Sequence, residues 1–228
     1  MMPRDIGLFL RSAKTDLRIS EIRATDGARA AFEAAYSERD DPWESDNPRY
    51  SYQRWKYEAL MAALPEGRRY ARVLDLGCGM GAMSLALTKV SDDVLGLDIA
   101  EAAVAQARRR TGAQPGLRFE QGDINALDPA LNGRFDLVVV ADTLYYLSEL
   151  DDTSLKNAAT LVAGLLAPDG LCLLTNHYFF SGDKDSRLTR RIHDAFAWSP
   201  SLTLLSTRRR PFYLTSILSR AQAVPVLG

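Results

Sequence analysis

The chain contains only two cysteines and two histidines among its 228 residues. Cys78 lies in a glycine-rich stretch and Cys172 in an apolar run, and both are poor positions for a disulfide framework. We therefore expect a reducing, cytoplasmic location. No His, Cys, Asp and Glu residues cluster at the spacing of metal ligands, so we expect no catalytic metal.

Long apolar runs and an excess of charge of either sign are also missing. The apolar run near the N-terminus, Ile6–Leu10, is shorter than a signal-peptide core and too short to span a bilayer, so we expect neither export nor membrane contact. The 28 Lys and Arg residues against 29 Asp and Glu residues give a formal charge of -1, without the positive field that attracts nucleic acid. The basic runs Arg108–Arg110 and Arg208–Arg210 fit anion-binding patches, although solvated faces explain them better.

The first third of the chain has helical patterns and no strand pattern. Residues 1–24 have weak periodicity, and we expect them to form an N-terminal extension that is partly mobile, ahead of one folded domain over residues 25–228. Helices are predicted over about 28–36 and 50–64, where proline and glycine residues mark the ends. We expect residues 25–66 to form a helical lid or flank.

From residue 72 onward, short apolar runs alternate with helical patterns, which is typical of βαβ units around a parallel sheet. Strands are predicted at 72–76, 94–98, 117–120, 135–141 and 171–175. Helices are predicted at 82–90, 101–111, 152–166 and 186–197, with a turn at 167–170. The short separation of 202–205 from 212–215 predicts a closing antiparallel hairpin.

A glycine-rich loop, Asp75–Gly81, joins the first predicted strand to the helix that follows it. Glycines at 77, 79 and 81 let the backbone turn sharply and approach a ligand that a Cβ atom would exclude. Gly77, Gly79 and Ala82 also satisfy the permissive form of the dinucleotide fingerprint. A nicotinamide-dependent oxidoreductase and a tight turn without any ligand therefore stay open.

The residues after this loop resemble the class I S-adenosylmethionine-dependent methyltransferases. Asp98 ends the second predicted strand, Asp123 follows the third, and Phe135–Val139 begins the fourth. The resemblance covers about residues 50–178. It implies an α/β, Rossmann-like fold with a mostly parallel seven-stranded sheet, an antiparallel C-terminal strand and an N-terminal helical lid. It also implies that S-adenosyl-L-methionine is the cofactor and S-adenosyl-L-homocysteine the product.

The same resemblance assigns roles to the residues at the strand ends. Asp98 would bind both ribose hydroxyls, which one carboxylate can accept together. Ile99 would pack on the adenine face. Asp123 would accept the exocyclic amine and the backbone at Ile124 would meet a ring nitrogen, while a cap of the short turn after it is the alternative role for Asp123.

A closer likeness lies in three segments, Asp40–Trp43, Tyr52–Tyr57 and Val139–Leu147, which resemble the NodS-like methyltransferases. The best-known members of that family N-methylate the deacetylated, amino end of a chitooligosaccharide. The resemblance implies N-methylation of an amino sugar, a saccharide or another small molecule. O-methylation of a natural product and cofactor binding without catalysis stay open. We expect no nucleic-acid or membrane partner.

Four more residues belong to the predicted site. Arg54 fits the family's clamp on the cofactor carboxylate, or else it is a solvated helix arginine. Trp43 fits a wall over the acceptor, or else it packs in the core. Asp75 faces the amino group of the cofactor, directly or through water, or orders the glycine amides. Ala141, at the end of the fourth strand, is assigned to the cofactor site.

Methyl transfer is an in-line displacement, so catalysis requires a near-attack geometry and a nearby proton acceptor. Asp142, Tyr145 and Tyr146 follow the fourth strand and His177 follows the fifth, where open α/β sheets bind ligands. Histidine suits the role of a base, although His177 also fits a structural role. Asp142 fits the orientation of an acceptor, the attraction of a protonated amine, or a structural cap. His193, inside a predicted helix, is expected to be structural.

Overall fold

The computed structural model describes residues 5–45, 47–147, 150–180 and 182–222. The first four residues of the predicted extension and the last six of the predicted domain lie outside the described residues. Within the described ranges, no helix combines the length and the apolar character needed to cross a membrane.

From the first strand to the sixth helix, helices and strands alternate except between the third and fourth strands, which are joined by two short 3-10 turns, Ile124–Ala126 and Pro129–Leu131. The helices are α1 (Ile6–Glu38), α2 (Ser51–Met61), α3 (Ala82–Leu87), α4 (Glu101–Thr111), α5 (Asp152–Leu165) and α6 (Lys184–Ala197). The strands are β1 (Val73–Leu76), β2 (Val94–Asp98), β3 (Leu117–Gln121), β4 (Phe135–Ala141), β5 (Leu166–Tyr178), β6 (Leu202–Arg210) and β7 (Phe212–Arg220). Each strand and helix predicted from residue 72 onward is present, although α3 ends before the predicted residue 90, and β6 and β7 extend beyond the predicted 202–205 and 212–215.

The strands form one seven-stranded sheet in the order β3-β2-β1-β4-β5-β7-β6. β2 pairs with β3 and β4 pairs with β5 in parallel, whereas β7 pairs with both β5 and β6 in antiparallel fashion. β1 and β2 are buried along their whole length, as expected of strands that are covered on both faces. The predicted α/β fold and its terminal hairpin are confirmed.

The first helix differs from the sequence-based prediction, because it begins at the sixth residue rather than after residue 24. It is interrupted at Gly27, whose backbone angles (φ 84°, ψ 171°) are not helical. Before this break, the buried residues are Leu8, Thr15 and Ile19. Thr15 is buried because its hydroxyl donates to the carbonyl of Pro42 at 2.6 Å. Because one of these buried positions is polar, the sequence does not show the apolar periodicity that would predict a helix.

The turn predicted at 167–170 lies inside β5. Phe135 pairs with Leu166 and Leu137 pairs with Leu171, so two steps along β4 correspond to five along β5. The residues between them form a bulge, which accommodates a proline and a glycine that could not continue regular pairing. The prediction of a turn is therefore corrected to a bulge within a longer strand.

The chain divides into two compact units. The N-terminal unit comprises residues 1–69 and 75–127, and the C-terminal unit comprises residues 70–74 and 128–228. The glycine loop and the predicted adenosine ligands belong to the first unit. The predicted proton acceptors belong to the second.

Candidate functional site

The glycine loop of the N-terminal unit has three left-handed residues and is tied to the end of β2. Gly77, Gly79 and Gly81 have φ values of 71°, 52° and 79°, a region that favours glycine. The amides of Gly77 and Cys78 donate to the carbonyl of Leu97 at 2.8 and 2.9 Å, and the amide of Gly81 donates to the carbonyl of Cys78 at 2.9 Å. Carbonyl groups of β2 and of the loop itself therefore accept from these three amides.

Asp98 is buried at the end of β2 and takes part in the same network. Its Oδ2 accepts from the amide of Gly79 at 2.9 Å, and its Oδ1 accepts from the amide of Ala100 at 3.0 Å. Burial raises the pKa of Asp98 to about 6, although these backbone hydrogen bonds act to lower it. The backbone of Ile99 also hydrogen-bonds to this carboxylate, and because a carboxylate has about four acceptor positions, capacity for a ribose hydroxyl remains.

Asp75 is buried at the end of β1, and its Oδ2 accepts from the hydroxyl of Ser84 on α3 at 2.6 Å. Burial raises the pKa of Asp75 to about 6, the hydrogen bond from Ser84 lowers it, and the charge of Asp98 raises it. This contact ties β1 to α3, a structural role that neither prediction for Asp75 included.

At two of the loop glycines, neighbouring protein side chains leave no room for a Cβ atom. A Cβ atom at Gly79 would lie 2.7 Å from the hydroxyl of Tyr36, and one at Gly81 would lie 2.6 Å from the ring of Phe119. Tyr36 is a site residue that the sequence analysis missed, because it precedes the loop by some forty residues and belongs to no motif.

The residues predicted at the adenine occupy two short turns. Asp123 Oδ1 accepts from the backbone amide and the side-chain amide of Asn125, at 2.9 and 3.0 Å. The capping role left open for Asp123 is therefore present in the structure. Ile99 and Ile124 are both half-buried, and the carbonyl of Ile99 accepts from the side chain of Gln121 at 3.0 Å.

Trp43 packs against α1. Its ring centroid lies 6.0 Å from that of Phe32 and 5.3 Å from that of Tyr36, and its Nε1 donates to Asp16 at 2.8 Å. These contacts support the packing alternative, while the half-buried ring keeps an accessible part. Arg54 is exposed on α2.

In the C-terminal unit, Asp142 and His177 form a pair just after β4 and near the end of β5. Asp142 has a left-handed backbone (φ 55°), and its amide donates to the carbonyl of Thr175 at 2.9 Å. Its Oδ1 accepts from the His177 amide at 3.0 Å and lies 3.1 Å from His177 Nδ1. This contact favours the tautomer with hydrogen on Nδ1, which leaves a lone pair on Nε2. Beside the pair, the carbonyl of Ala141 accepts from the hydroxyl of Thr143 at 3.1 Å.

Tyr145 supports this pair from the turn after β4. Its hydroxyl donates to the carbonyl of His177 at 3.0 Å and lies 2.6 Å from the hydroxyl of Thr189, which donates to the same carbonyl at 2.6 Å. Burial raises the pKa of Tyr145 well above its usual value, so the phenol stays protonated at neutral pH. Tyr146 packs edge-to-face on Tyr145 at 6.3 Å. Thr189 is a second residue that the sequence analysis missed.

His193 is buried on α6, and its Nδ1 lies 2.8 Å from the hydroxyl of Ser216. Burial lowers the pKa of His193 to about 3, despite the opposing charge of Asp142, so the ring is neutral. This environment agrees with the structural role expected for His193. Among the described residues, no group of three His, Cys, Asp or Glu residues could hold a metal ion.

Comparisons with known proteins relate this architecture to one family. A family model described as Nodulation protein S (NodS) matches residues 26–197. The chain is 29% identical over 130 residues to Nodulation protein S of Bradyrhizobium diazoefficiens, which covers 57% of this chain and 59% of that protein. It is 36% identical over 123 residues to a malonyl-[acyl-carrier protein] O-methyltransferase of Enterobacter lignolyticus, which covers 54% of this chain and 45% of that protein.

A solved structure has the same fold. The crystal structure of the N-methyltransferase NodS from Bradyrhizobium japonicum WM9, in complex with S-adenosyl-L-homocysteine, matches with a TM-score of 0.69 at 22% identity, over 85% of this chain and 98% of that one. This likeness confirms the predicted Rossmann-like architecture. The chain spans less than two thirds of the length of each curated relative named above.

Proposed function

We propose that this chain, which belongs to the NodS family of class I S-adenosylmethionine-dependent methyltransferases, transfers a methyl group from S-adenosyl-L-methionine to the amino nitrogen of a small molecule or saccharide. The observation that carries the proposal is the contact between Asp142 and His177 in the C-terminal unit. It combines a carboxylate, which attracts an ammonium group, with an imidazole, which can accept a proton from it.

The N-terminal unit supports the choice of cofactor. A dinucleotide cofactor requires free backbone N–H groups for its pyrophosphate. Here the amides of Gly77, Cys78, Gly79 and Gly81 already donate to protein oxygens. The buried carboxylate of Asp98 is suited to a hydroxyl donor. Both features fit an adenosine-bearing ligand without phosphate, as S-adenosyl-L-methionine is.

At the acceptor, the residues are proposed to bind the ammonium form and to remove its proton. The cofactor supplies an electrophilic methyl carbon, so a new C–N bond forms as the C–S bond breaks. An amine is nucleophilic only with a free lone pair. We assign to Asp142 the attraction and orientation of the ammonium form, and to His177 Nε2 the acceptance of its proton. The hydrogen bonds of Tyr145 and Thr189 to the His177 carbonyl hold this part of β5 in position.

The choice of a nitrogen acceptor has further support in one relative, because the matching solved structure is named an N-methyltransferase. Another relative is named an O-methyltransferase, so oxygen acceptors belong in the test. A hydroxyl carries no positive charge, so the carboxylate of Asp142 would give it less attraction than an ammonium group. This difference favours the amine.

The test supplies the full chain with methyl-labelled S-adenosyl-L-methionine and two acceptor panels, amino sugars and phenols. We expect label on the amino sugars. Asp142→Asn and His177→Gln should each reduce kcat/KM by at least about tenfold, whereas Asp152→Asn, which changes an exposed aspartate on α5, should have little effect. S-adenosyl-L-homocysteine should bind all variants equally.

Two results would contradict this assignment. Label on phenols alone would identify an O-methyltransferase. Tight binding of S-adenosyl-L-homocysteine without turnover on either panel would favour a protein that binds the cofactor without catalysis.

A further inference from the structure

Two exposed arginines meet at one buried tyrosine in the C-terminal unit. Tyr178, at the end of β5, is only 2% exposed. The guanidinium carbons of Arg190 on α6 and Arg209 on β6 lie 5.5 and 4.8 Å from its ring centroid. Arg190 Nε also donates to the Tyr178 hydroxyl at 2.8 Å, and Arg209 Nη2 donates to the carbonyl of Phe179 at 3.3 Å. The contacts with the Tyr178 ring and these hydrogen bonds together restrict the movement of both guanidinium groups.

The two charges share one aromatic ring and have no neutralising acid among the described residues. Both guanidinium carbons lie within 5.5 Å of the Tyr178 ring centroid, so two like charges contact a single side chain. In the part of the chain that the structure describes, neither forms an ion pair with a carboxylate. Asp183, one of two acids at the start of α6, is occupied as a helix cap, with its oxygens accepting from the amides of Ser186 and Phe180.

Free donors remain on both arginines. Arg190 uses its Nε and keeps both terminal nitrogens, and Arg209 uses one terminal nitrogen in a long hydrogen bond. A guanidinium group presents a planar set of donors that matches the oxygens of phosphate, sulfate or carboxylate. Because two restricted cations lack an anion within the described protein, their surroundings suit a small oxyanion.

Phe179 links the pair to the proposed proton acceptor around the end of β5, where the side chains of His177 and Tyr178 point to opposite faces of the sheet. The ring of Phe179, whose carbonyl binds Arg209, stacks on the ring of His177 with a centroid distance of 6.1 Å and an interplanar angle of 12°. We propose that Arg190 and Arg209 bind an oxyanion, and that the methyl acceptor therefore carries a phosphate, sulfate or carboxylate group as well as its amine. The statement about the acceptor rests on the proposed function, whereas anion binding does not.

The neighbouring arginines provide a matched control. Successive side chains of a strand point to opposite faces of the sheet, so Arg208 lies on the other face of β6 from Arg209. Both are exposed, and both lie in the same basic run. Arg208→Gln and Arg209→Gln therefore make the same change of charge one residue apart.

The first test follows the arginine Nε–Hε resonances of the full chain by NMR during titration with inorganic phosphate and, separately, with malonate. We expect saturable shifts for Arg190 and Arg209. Arg190→Gln and Arg209→Gln should weaken binding by at least about tenfold, and Arg208→Gln by less than about twofold. The preferred anion distinguishes a phosphorylated from a carboxylated acceptor. Absence of saturation, or an equal loss of anion affinity in Arg208→Gln and Arg209→Gln, would overturn the proposed anion site. Thermal melts check that each variant folds.

The second test compares methyl transfer to glucosamine 6-phosphate and glucosamine. We expect a KM at least about tenfold lower for the phosphorylated sugar, and we expect Arg209→Gln but not Arg208→Gln to remove that difference. Equal KM values in the unmodified chain would overturn the inference about the acceptor. Saturable phosphate binding without methylation of these sugars or of any acceptor in the amino-sugar panel would instead contradict the proposed function and leave the anion site in place.

Discussion

Asp98 shows how burial and hydrogen bonding compete at one carboxylate. Burial raises the pKa of Asp98 to about 6, and the amides of Ala100 and Gly79 oppose the increase. Since the pKa is higher in the folded than in the unfolded state, the ionised group reduces stability as pH rises from about 4 to about 6. The same ionised group is the form that accepts a hydroxyl hydrogen. The proposed cofactor site therefore requires the form that folding disfavours.

We predict that affinity for S-adenosyl-L-homocysteine falls about tenfold between pH 7 and pH 5, because a group with a pKa of about 6 is mostly protonated at pH 5. Asp98→Asn should weaken binding by roughly 1–3 kcal/mol at pH 7 and abolish the pH dependence. Calorimetric titration of both proteins over this range makes the comparison.

Asp75→Asn is the control for that experiment, because burial also raises the pKa of Asp75 to about 6. That variant should retain the pH dependence. If Asp98→Asn retained it and Asp75→Asn lost it, Asp98 would be removed from the ribose assignment.

Gly79 and Tyr36 form a steric pair at the loop. We predict that Gly79→Ala lowers the free energy of unfolding by about 1–2 kcal/mol for its left-handed backbone, with an additional cost for displacing the Tyr36 hydroxyl. Tyr36→Phe removes the atom that a Cβ would meet, so the double variant should recover the steric part. Urea unfolding of the four proteins measures the coupling. Additive effects would show that the hydroxyl moves aside freely.

At the scale of elements, α1 is joined to α4 by polar contacts. The carboxylate oxygens of Glu33 lie 3.2 and 3.3 Å from the amide of Ala102, and the side-chain amide of Gln106 donates to the carbonyl of Tyr36 at 2.6 Å. Glu33 therefore accepts from an amide at the start of α4, because the residue at the N-cap position, Ala100, has no side-chain acceptor.

We predict that residues 25–57 gain protection from hydrogen exchange when S-adenosyl-L-homocysteine binds, and that the gain exceeds that of β4. An exposed Arg54 that binds the cofactor carboxylate would become ordered only with the ligand. Hydrogen exchange with and without ligand tests this. If residues 25–57 were equally protected in both states while the glycine loop responded, the segment would be a rigid flank. Trp43 and Arg54 would then no longer be assigned to a part of the site that moves on binding.

The whole molecule offers a direct comparison of cofactors, because ligand binding to the native state stabilises the entire fold. We predict that S-adenosyl-L-homocysteine at about one hundred times its Kd raises the unfolding free energy by about 2.7 kcal/mol, whereas NAD has no effect. Thermal melts measure both. Stabilisation by NAD alone would restore the oxidoreductase alternative that the permissive glycine pattern left open.

Much of the fold follows from local patterns that the sequence displays. Apolar runs such as Val94–Asp98 can be buried only as strands between covering layers, and the periodicity of Glu101–Thr111 predicts its helix to the residue. The glycine loop follows for the same reason, since a strand, glycines and a helical pattern follow one another at short range, whereas the role of Asp98 is implied by the resemblance to the methyltransferases.

The missing parts depend on residues far apart in the chain. Thr15 is buried only because Pro42 accepts its hydrogen, and Tyr36 reaches Gly79 only after α1 has packed. Likewise, Arg190 and Arg209 lie in separate elements, and no sequence pattern indicates that both meet Tyr178. Local sequence could predict the strands, the loop and the order of the acids because propensity and periodicity act within a few residues. Which side chains share a site was decided by tertiary packing, because those contacts form only when distant segments bury their apolar faces together.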